Sequence, residues 1–142
     1  MSARTPLDTA AVQAMLDGSP FAVFLGLRVT KADAAAGRVE MTMPMRPELE
    51  RGGPMTGQFH GGPVAALIDT AGDFAVAVAV GGGVPTMNFR VDYLRPSGGA
   101  ALTAIATARR IGRTVAVVDV DVTDPQGRLT AVGRGTYSAL VG

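Results

Sequence analysis

Apolar and polar positions alternate along GRVEMTMPM, with Val39, Met41 and Met43 on one side and Arg38, Glu40 and Thr42 on the other. That period of two predicts a strand with one buried face. FAVFLGLRVTKAD, just before it, turns strand-like near Leu27, and the AAAG between the two predicts a hairpin. Nearer the start, LDTAAVQAMLDGSP places Leu7, Val12, Met15 and Leu16 on one helical face, with Gly18 and Pro20 as its stop. Residues 1–24 are therefore read as an N-terminal helical segment. RPELERGGPMTGQF is a loop rich in glycine and proline. From Gly61 to about Val80 the chain is apolar nearly all round, which predicts a helix buried on most sides, closed by the GGG at 81–83. Four strands follow, at 84–95, 99–111, 114–124 and 128–140, separated by the turn sequences RPSGG, IGR and DPQG. In the third, Asp119 and Asp121 point outward. A helix, two strands, one long helix and four strands make an α+β architecture in which one helix packs on an antiparallel sheet.

Length and composition narrow the class. At 142 residues, without repeats or low-complexity stretches, the chain reads as a single domain over 1–142. Its 47% hydrophobic and 18% charged residues suit a compact fold. Thirteen Lys and Arg against twelve Asp and Glu give a net charge of +1, which offers no footprint for nucleic acid. Cysteine is absent, so disulfides and thiol chemistry are excluded, and one histidine cannot build a histidine-rich zinc site; no metal is expected. The N-terminus lacks a signal-like apolar run, and FAVAVAVGGGV is short and broken by glycine. The expectation is a cytoplasmic protein with no membrane partner.

The chemistry concentrates in GQFHGGPVAALIDTAG, residues 57–72, which holds the single histidine, His60. Gly61 and Gly62 fall at the predicted helix start, where N–H groups lack intrahelical partners and the helix dipole is positive. Having no side chains, they let a ligand oxygen approach those N–H groups, as at an oxyanion hole. Pro63 suits the first turn. Asp69 interrupts the apolar helix about 12 Å further along its axis, at 1.5 Å per residue. Gly61 and Asp69 of one chain therefore cannot touch one reacting atom, whereas antiparallel helices of a two-fold dimer would bring Asp69 of one chain near Gly61 of the other. Asp73, four residues on, shares the face of Asp69, and two like charges so close raise one pKa toward the range of a useful base.

HGGPVAALIDTA resembles the helix-start motif of hotdog-fold acyl-CoA thioesterases, in particular the phenylacetate-pathway (PaaI-like) group. TMNFRVDYLRP is similar to that family's strand with its Y-x-x-P end. The resemblance runs from about Leu25 to Leu140. It implies a sheet wrapped around the central helix, dimers paired into tetramers, an active site at the dimer interface, and an acyl-CoA substrate with no cofactor beyond the coenzyme A that the substrate carries. It further implies that the Gly61 N–H binds the thioester carbonyl oxygen, flanked by Gly62. Asp69 of the partner chain would activate water or attack as a nucleophile. His60 would support the helix start and the thioester, and Thr86 would hold the water. One position departs from the pattern. Family members usually carry Asn or Gln six residues before the histidine, where this chain has Pro54; Gln58 is the amide side chain nearby.

Other readings attach to the same residues. His60 and Asp69 could serve a hydratase or dehydratase on this fold, and Pro54 suits a non-catalytic acyl-CoA binder. Arginine is well suited to the phosphates of coenzyme A, and Arg109, Arg110 and Arg113 in ARRIGR stand at a strand-to-strand turn. Met41, Met43, Met45 and Met55 are read as core filler or as the lining of an adaptable acyl pocket.

Overall fold

The computed structural model describes residues 4–53 and 56–142; Pro54 and Met55 lie outside them. Helix α1 spans Thr9–Asp17 and is capped by Asp8, whose carboxylate accepts the Ala11 N–H at 2.8 Å. Its apolar face buries Val12 and Leu16, while Met15 remains partly exposed. Pro20 does not end this helix. Gly18 does, Ser19 caps a second one, and Pro20 is the first residue of α2, Pro20–Leu25. Proline's fixed φ and missing N–H suit a helix start as well as a stop, so its identity alone could not decide between them. α2 ends at Gly26 with φ 70° and leaves Phe21, Val23 and Phe24 exposed. The Arg46 guanidinium stacks over Phe24, 4.8 Å from the ring centroid.

Six strands follow the expected order: β1 Arg28–Asp33, β2 Arg38–Pro44, β3 Thr86–Tyr93, β4 Ala101–Ile111, β5 Val115–Thr123 and β6 Leu129–Ser138. They form one antiparallel sheet in the order β1-β2-β4-β5-β6-β3. β3 thus crosses the whole sheet to pair with β6 and leaves its other edge unpaired among the described residues. Helix α3, Gly61–Val80, lies between β2 and β3 in sequence and packs into the sheet's concave face.

The period-two pattern supplies that face. Val39, Met41 and Met43 of β2, Leu102, Ala104 and Ala106 of β4, and Ala116, Val118, Val120 and Val122 of β5 are all buried. Against them α3 buries Val64, Leu67, Ile68, Ala71, Ala75 and Val78. Met41 and Met43 are fully enclosed there, so they are core side chains and line no acyl pocket; Met45 is half-buried. α3 is long and apolar enough to cross a membrane by length and composition, yet it is the core helix of this sheet. It approaches closely because glycines receive it. A Cβ at Gly72 of α3 or at Gly135 of β6 would overlap the Tyr137 phenol, and one at Gly133 would overlap Ile68. Tyr137 Oη donates to the Asp69 carbonyl at 3.2 Å, tying β6 to the middle of α3.

On the outer face, charges pair locally. Arg134 and Arg109 flank Asp119 at 2.6 and 3.6 Å, and Arg90 meets Asp92 at 2.8 Å. A hollow of about 550 Å³ lies over these pairs and is lined by none of the residues singled out in residues 57–73.

Candidate active site

Two backbone hydrogen bonds hold the loop into α3. Phe59 N–H donates to the Ser97 carbonyl and His60 N–H to the Leu49 carbonyl, both at 2.7 Å. His60 is the N-cap, and its Nδ1 accepts the Gly62 N–H at 3.0 Å. In the neutral ring that bond places the proton on the other nitrogen, Nε2. The first turn then has few donors left. Gly62 is engaged by His60, Pro63 has no N–H, and the N-cap carbonyl accepts the first intrahelical bond, from Val64. The Gly61 N–H remains without an acceptor among the described residues. Of the two glycines, Gly61 therefore presents the donor, and Gly62 supplies only room.

Tyr93, the last residue of β3, donates its phenolic hydrogen to the Gly61 carbonyl at 2.6 Å. A cleft of about 370 Å³ opens beside them, lined by Phe59, Gly61, Val64 and Tyr93 together with Arg51 and Arg95. Both arginines are exposed; Arg95 is one of the C-terminal arginines the sequence offers for the coenzyme A phosphates, and Arg51 was not picked out. Their signal was faint. Arg51 opens the glycine-rich loop, and Arg95 belongs to the Tyr-Leu-Arg-Pro segment, but only the sheet register brings them together. Arg109, Arg110 and Arg113 do not line this cleft; they sit at the end of β4 and in the turn after it, with Arg109 directed to Asp119. Gln58 pairs with Gly98 as a short bridge, and its carbonyl accepts the Arg51 N–H at 2.9 Å. It is half-buried, and its side-chain amide has no hydrogen-bond partner among the described residues. Pro54, where the chain departs from the expected amide, is outside them.

Asp69 stands two turns along the same unbroken helix. Its Oδ1 accepts the Thr86 hydroxyl at 2.8 Å, which joins the carboxylate to the start of β3. Eight residues at 1.5 Å each put Gly61 and Asp69 about 12 Å apart along the axis. Within one chain, the donor and the carboxylate cannot meet at one atom.

Asp73 is one turn further. Its Oδ1 accepts the Val84 N–H at 3.4 Å. Burial pushes its carboxyl up to about 6, opposed by that hydrogen bond and reinforced by the neighbouring Asp69. Like-charge repulsion under partial desolvation was expected to drive such a rise; of the two, burial is the larger cause. The Asp73 side chain borders a second cleft of about 280 Å³ between the N-terminal helices and α3, whose apolar lining includes Met15, Phe21, Ala22 and Phe74. Chemically, the chain thus offers a lone N–H that can polarise a carbonyl and a carboxylate with a hydroxyl beside it that can activate or hold water.

Comparison with known proteins accords with this geometry. The family model of the thioesterase superfamily matches residues 56–131, from the loop before His60 to the start of β6. A protein of Halobacterium salinarum, provisionally named an esterase, is 38% identical over 138 residues, covering 90% of this chain and 89% of that one. The acyl-coenzyme A thioesterase PaaI of Escherichia coli is 30% identical over 131 residues, covering 91% and 89%. The structure of E. coli PaaI superposes with TM-score 0.80 at 27% identity, over 92% of this chain and 91% of that one. That of thioesterase HI1161 from Haemophilus influenzae superposes with TM-score 0.82 at 25% identity, over 97% and 94%.

Proposed function

The chain belongs to the thioesterase superfamily, a hotdog-fold thioester hydrolase of the PaaI-like group, and from that premise we propose that it hydrolyses acyl- or aroyl-CoA thioesters at a site shared by two chains. The observation that carries this reading is the pairing, on one unbroken helix, of a free Gly61 N–H with an Asp69·Thr86 pair about 12 Å away. Each chain holds both halves of a site but not at one place. The exposed β3 edge, with Met87 55% and Phe89 37% exposed, offers the join. A two-fold axis beside it lays the α3 helices antiparallel and brings Asp69 to the partner's helix start.

In that site the thioester oxygen rests on the Gly61 N–H. Asp69 of the other chain takes a proton from water, and the Thr86 hydroxyl fixes its carboxylate. The water oxygen bonds to the acyl carbon, the carbonyl oxygen takes up negative charge against the helix start, and the C–S bond breaks as the intermediate collapses. The proton held by Asp69 passes to the leaving sulfur, giving free acid and coenzyme A. Attack by Asp69 itself would give an anhydride that water then opens to the same products. In this reading Arg51 and Arg95, which line the cleft beside Gly61, meet the coenzyme's phosphates.

Thiol release across short, long and aromatic acyl-CoAs tests the activity. Asp69→Asn should keep the fold and lower kcat at least about 10²-fold, the scale of a positioned acid–base group. Co-expressing Asp69→Asn with Gly61→Val chains should restore part of the activity, because one site of each mixed dimer has both halves intact. Mixtures no better than either parent would refute the shared site. Hydration of crotonyl-CoA without thiol release would instead mark a hydratase, and tight acyl-CoA binding with no turnover a binding protein.

A further inference from the structure

We propose that Tyr93 is a positioning residue for the thioester carbonyl: its phenol fixes the first peptide of α3 and so aims the Gly61 N–H into the cleft. A helix that begins Gly-Gly has the most backbone freedom a sequence can give, at the end of a helix that already tends to fray. The carbonyl-binding donor therefore sits on the least constrained part of the chain unless something outside the helix holds it. Two groups do. On the near side, His60 N–H is fixed on the Leu49 carbonyl at 2.7 Å. On the far side, the Tyr93 hydroxyl holds the Gly61 carbonyl at 2.6 Å. The His60–Gly61 peptide, which carries the Gly61 N–H, thus lies between two anchored peptides, and the direction of that N–H follows from both.

Tyr93 is itself well held. It pairs with Ala131 of β6, and the N–H groups of Leu94 and Arg95 both reach the Thr130 carbonyl, at 2.9 and 3.2 Å. The side chain is 53% exposed, so burial of its ring does not account for it, whereas its hydroxyl makes a short bond to the helix start. The same contact explains why residue 61 is glycine. A Cβ there would stand 3.2 Å from the Tyr93 hydroxyl oxygen and 3.3 Å from the ring carbon bearing it, tighter than an ordinary contact. An alanine would push the ring aside and strain the bond.

The inference deepens the thioesterase reading and rests on it only for the identity of the bound group, so the test has one arm that needs no substrate. Tyr93→Phe changes one exposed atom on a strand and should fold normally. In the ligand-free protein, hydrogen exchange at the Gly62 amide, which shares its peptide with the Gly61 carbonyl and is bonded to His60 Nδ1, should speed up by roughly tenfold when followed by NMR, while exchange along β6 stays as in wild type. In the thiol-release assay kcat should fall roughly ten- to a hundredfold with KM nearly unchanged. Misplacing a catalytic group by about 1 Å costs up to 10²-fold, and losing an oxyanion donor outright costs about 10²–10³. Unchanged exchange at Gly62 would overturn the proposal. So would a fall in kcat matched by an equal rise in KM and a lower melting temperature, the signs of an anchor that is only structural. A wild type that releases no thiol from any acyl-CoA would sink the thioesterase reading, while the exchange arm would still decide the role of Tyr93.

Discussion

Asp73 shows how one carboxylate can work against the fold that holds it. The ordinary value of 3.8 is pushed up to about 6, chiefly by burial. Between those values the folded chain keeps a proton that the unfolded chain has released. Stability therefore falls as pH rises from about 4 to about 6 and levels off above, the reverse of a salt-bridged aspartate. At 1.36 kcal/mol per tenfold change in proton affinity, the gap is worth at most about 3 kcal/mol. Asp73→Asn removes the charge and keeps the shape. It should be more stable than wild type at pH 8 by up to that amount and nearly equal to it near pH 4, as read by urea unfolding at both. Equal stability at pH 8 would mean that water reaches the carboxylate freely. Other residue-scale features were legible in advance because the sequence states them locally. His60, Gly61 and Asp69 lie within ten residues of each other on one motif. The Thr86 contact to Asp69 spans seventeen residues, and the Tyr93 contact to Gly61 spans thirty-two. Motif resemblance assigned Thr86 to the water and not to Asp69, and nothing local suggested the second contact.

At the scale of elements, α3 and the sheet fit through glycine sockets. In an exposed helix interior, Gly→Ala stabilises by about 1 kcal/mol. Gly72→Ala should do the opposite, since the new methyl would occupy the space of the Tyr137 phenol. Overpacking of that kind costs about 1–3 kcal/mol. Tyr137→Phe in the same chain should recover part of the loss by clearing the hydroxyl; denaturant midpoints of the two single variants and the double one measure it. A stabilising Gly72→Ala would show that α3 shifts freely over β6. The elements themselves were readable where their period was strong. β2 and β5 alternate apolar and polar residues, and α3 is apolar all round. The strand ends ran one or two residues long, because turn residues and strand ends share the same side chains. α2 was missed because a proline that starts a helix looks like one that stops it. Strand order was not readable either: β3 pairs with the last strand rather than with the next, a choice made by α3 crossing the sheet and not by any residue within β3.

For the whole molecule, the open question is what covers β3. Its residues are exposed or half-buried on both faces, and its outer edge is unpaired among the described residues. A bare edge of this kind recruits another strand. Replacing two of its exposed apolar residues, Met87→Lys with Phe89→Lys, should shift the protein toward its 14.5 kDa monomer in analytical ultracentrifugation and remove activity in the same proportion. Full activity in a monomeric variant would place a complete site within one chain.

Among the described residues, the engagement of Gly62 by His60 leaves the first two positions of the helix with one free hydrogen-bond donor rather than two. Each missing donor at such a site costs about 10²–10³ in rate. A carbonyl that receives so little help must bring its own reactivity. Sulfur donates its lone pair to a neighbouring carbonyl poorly and departs readily as a thiolate, whereas an oxygen ester or an amide is resonance-stabilised and leaves reluctantly. If, as proposed, that lone N–H receives the carbonyl, it is a filter as well as a catalyst: acyl groups activated on sulfur pass, and oxygen esters and amides are left intact.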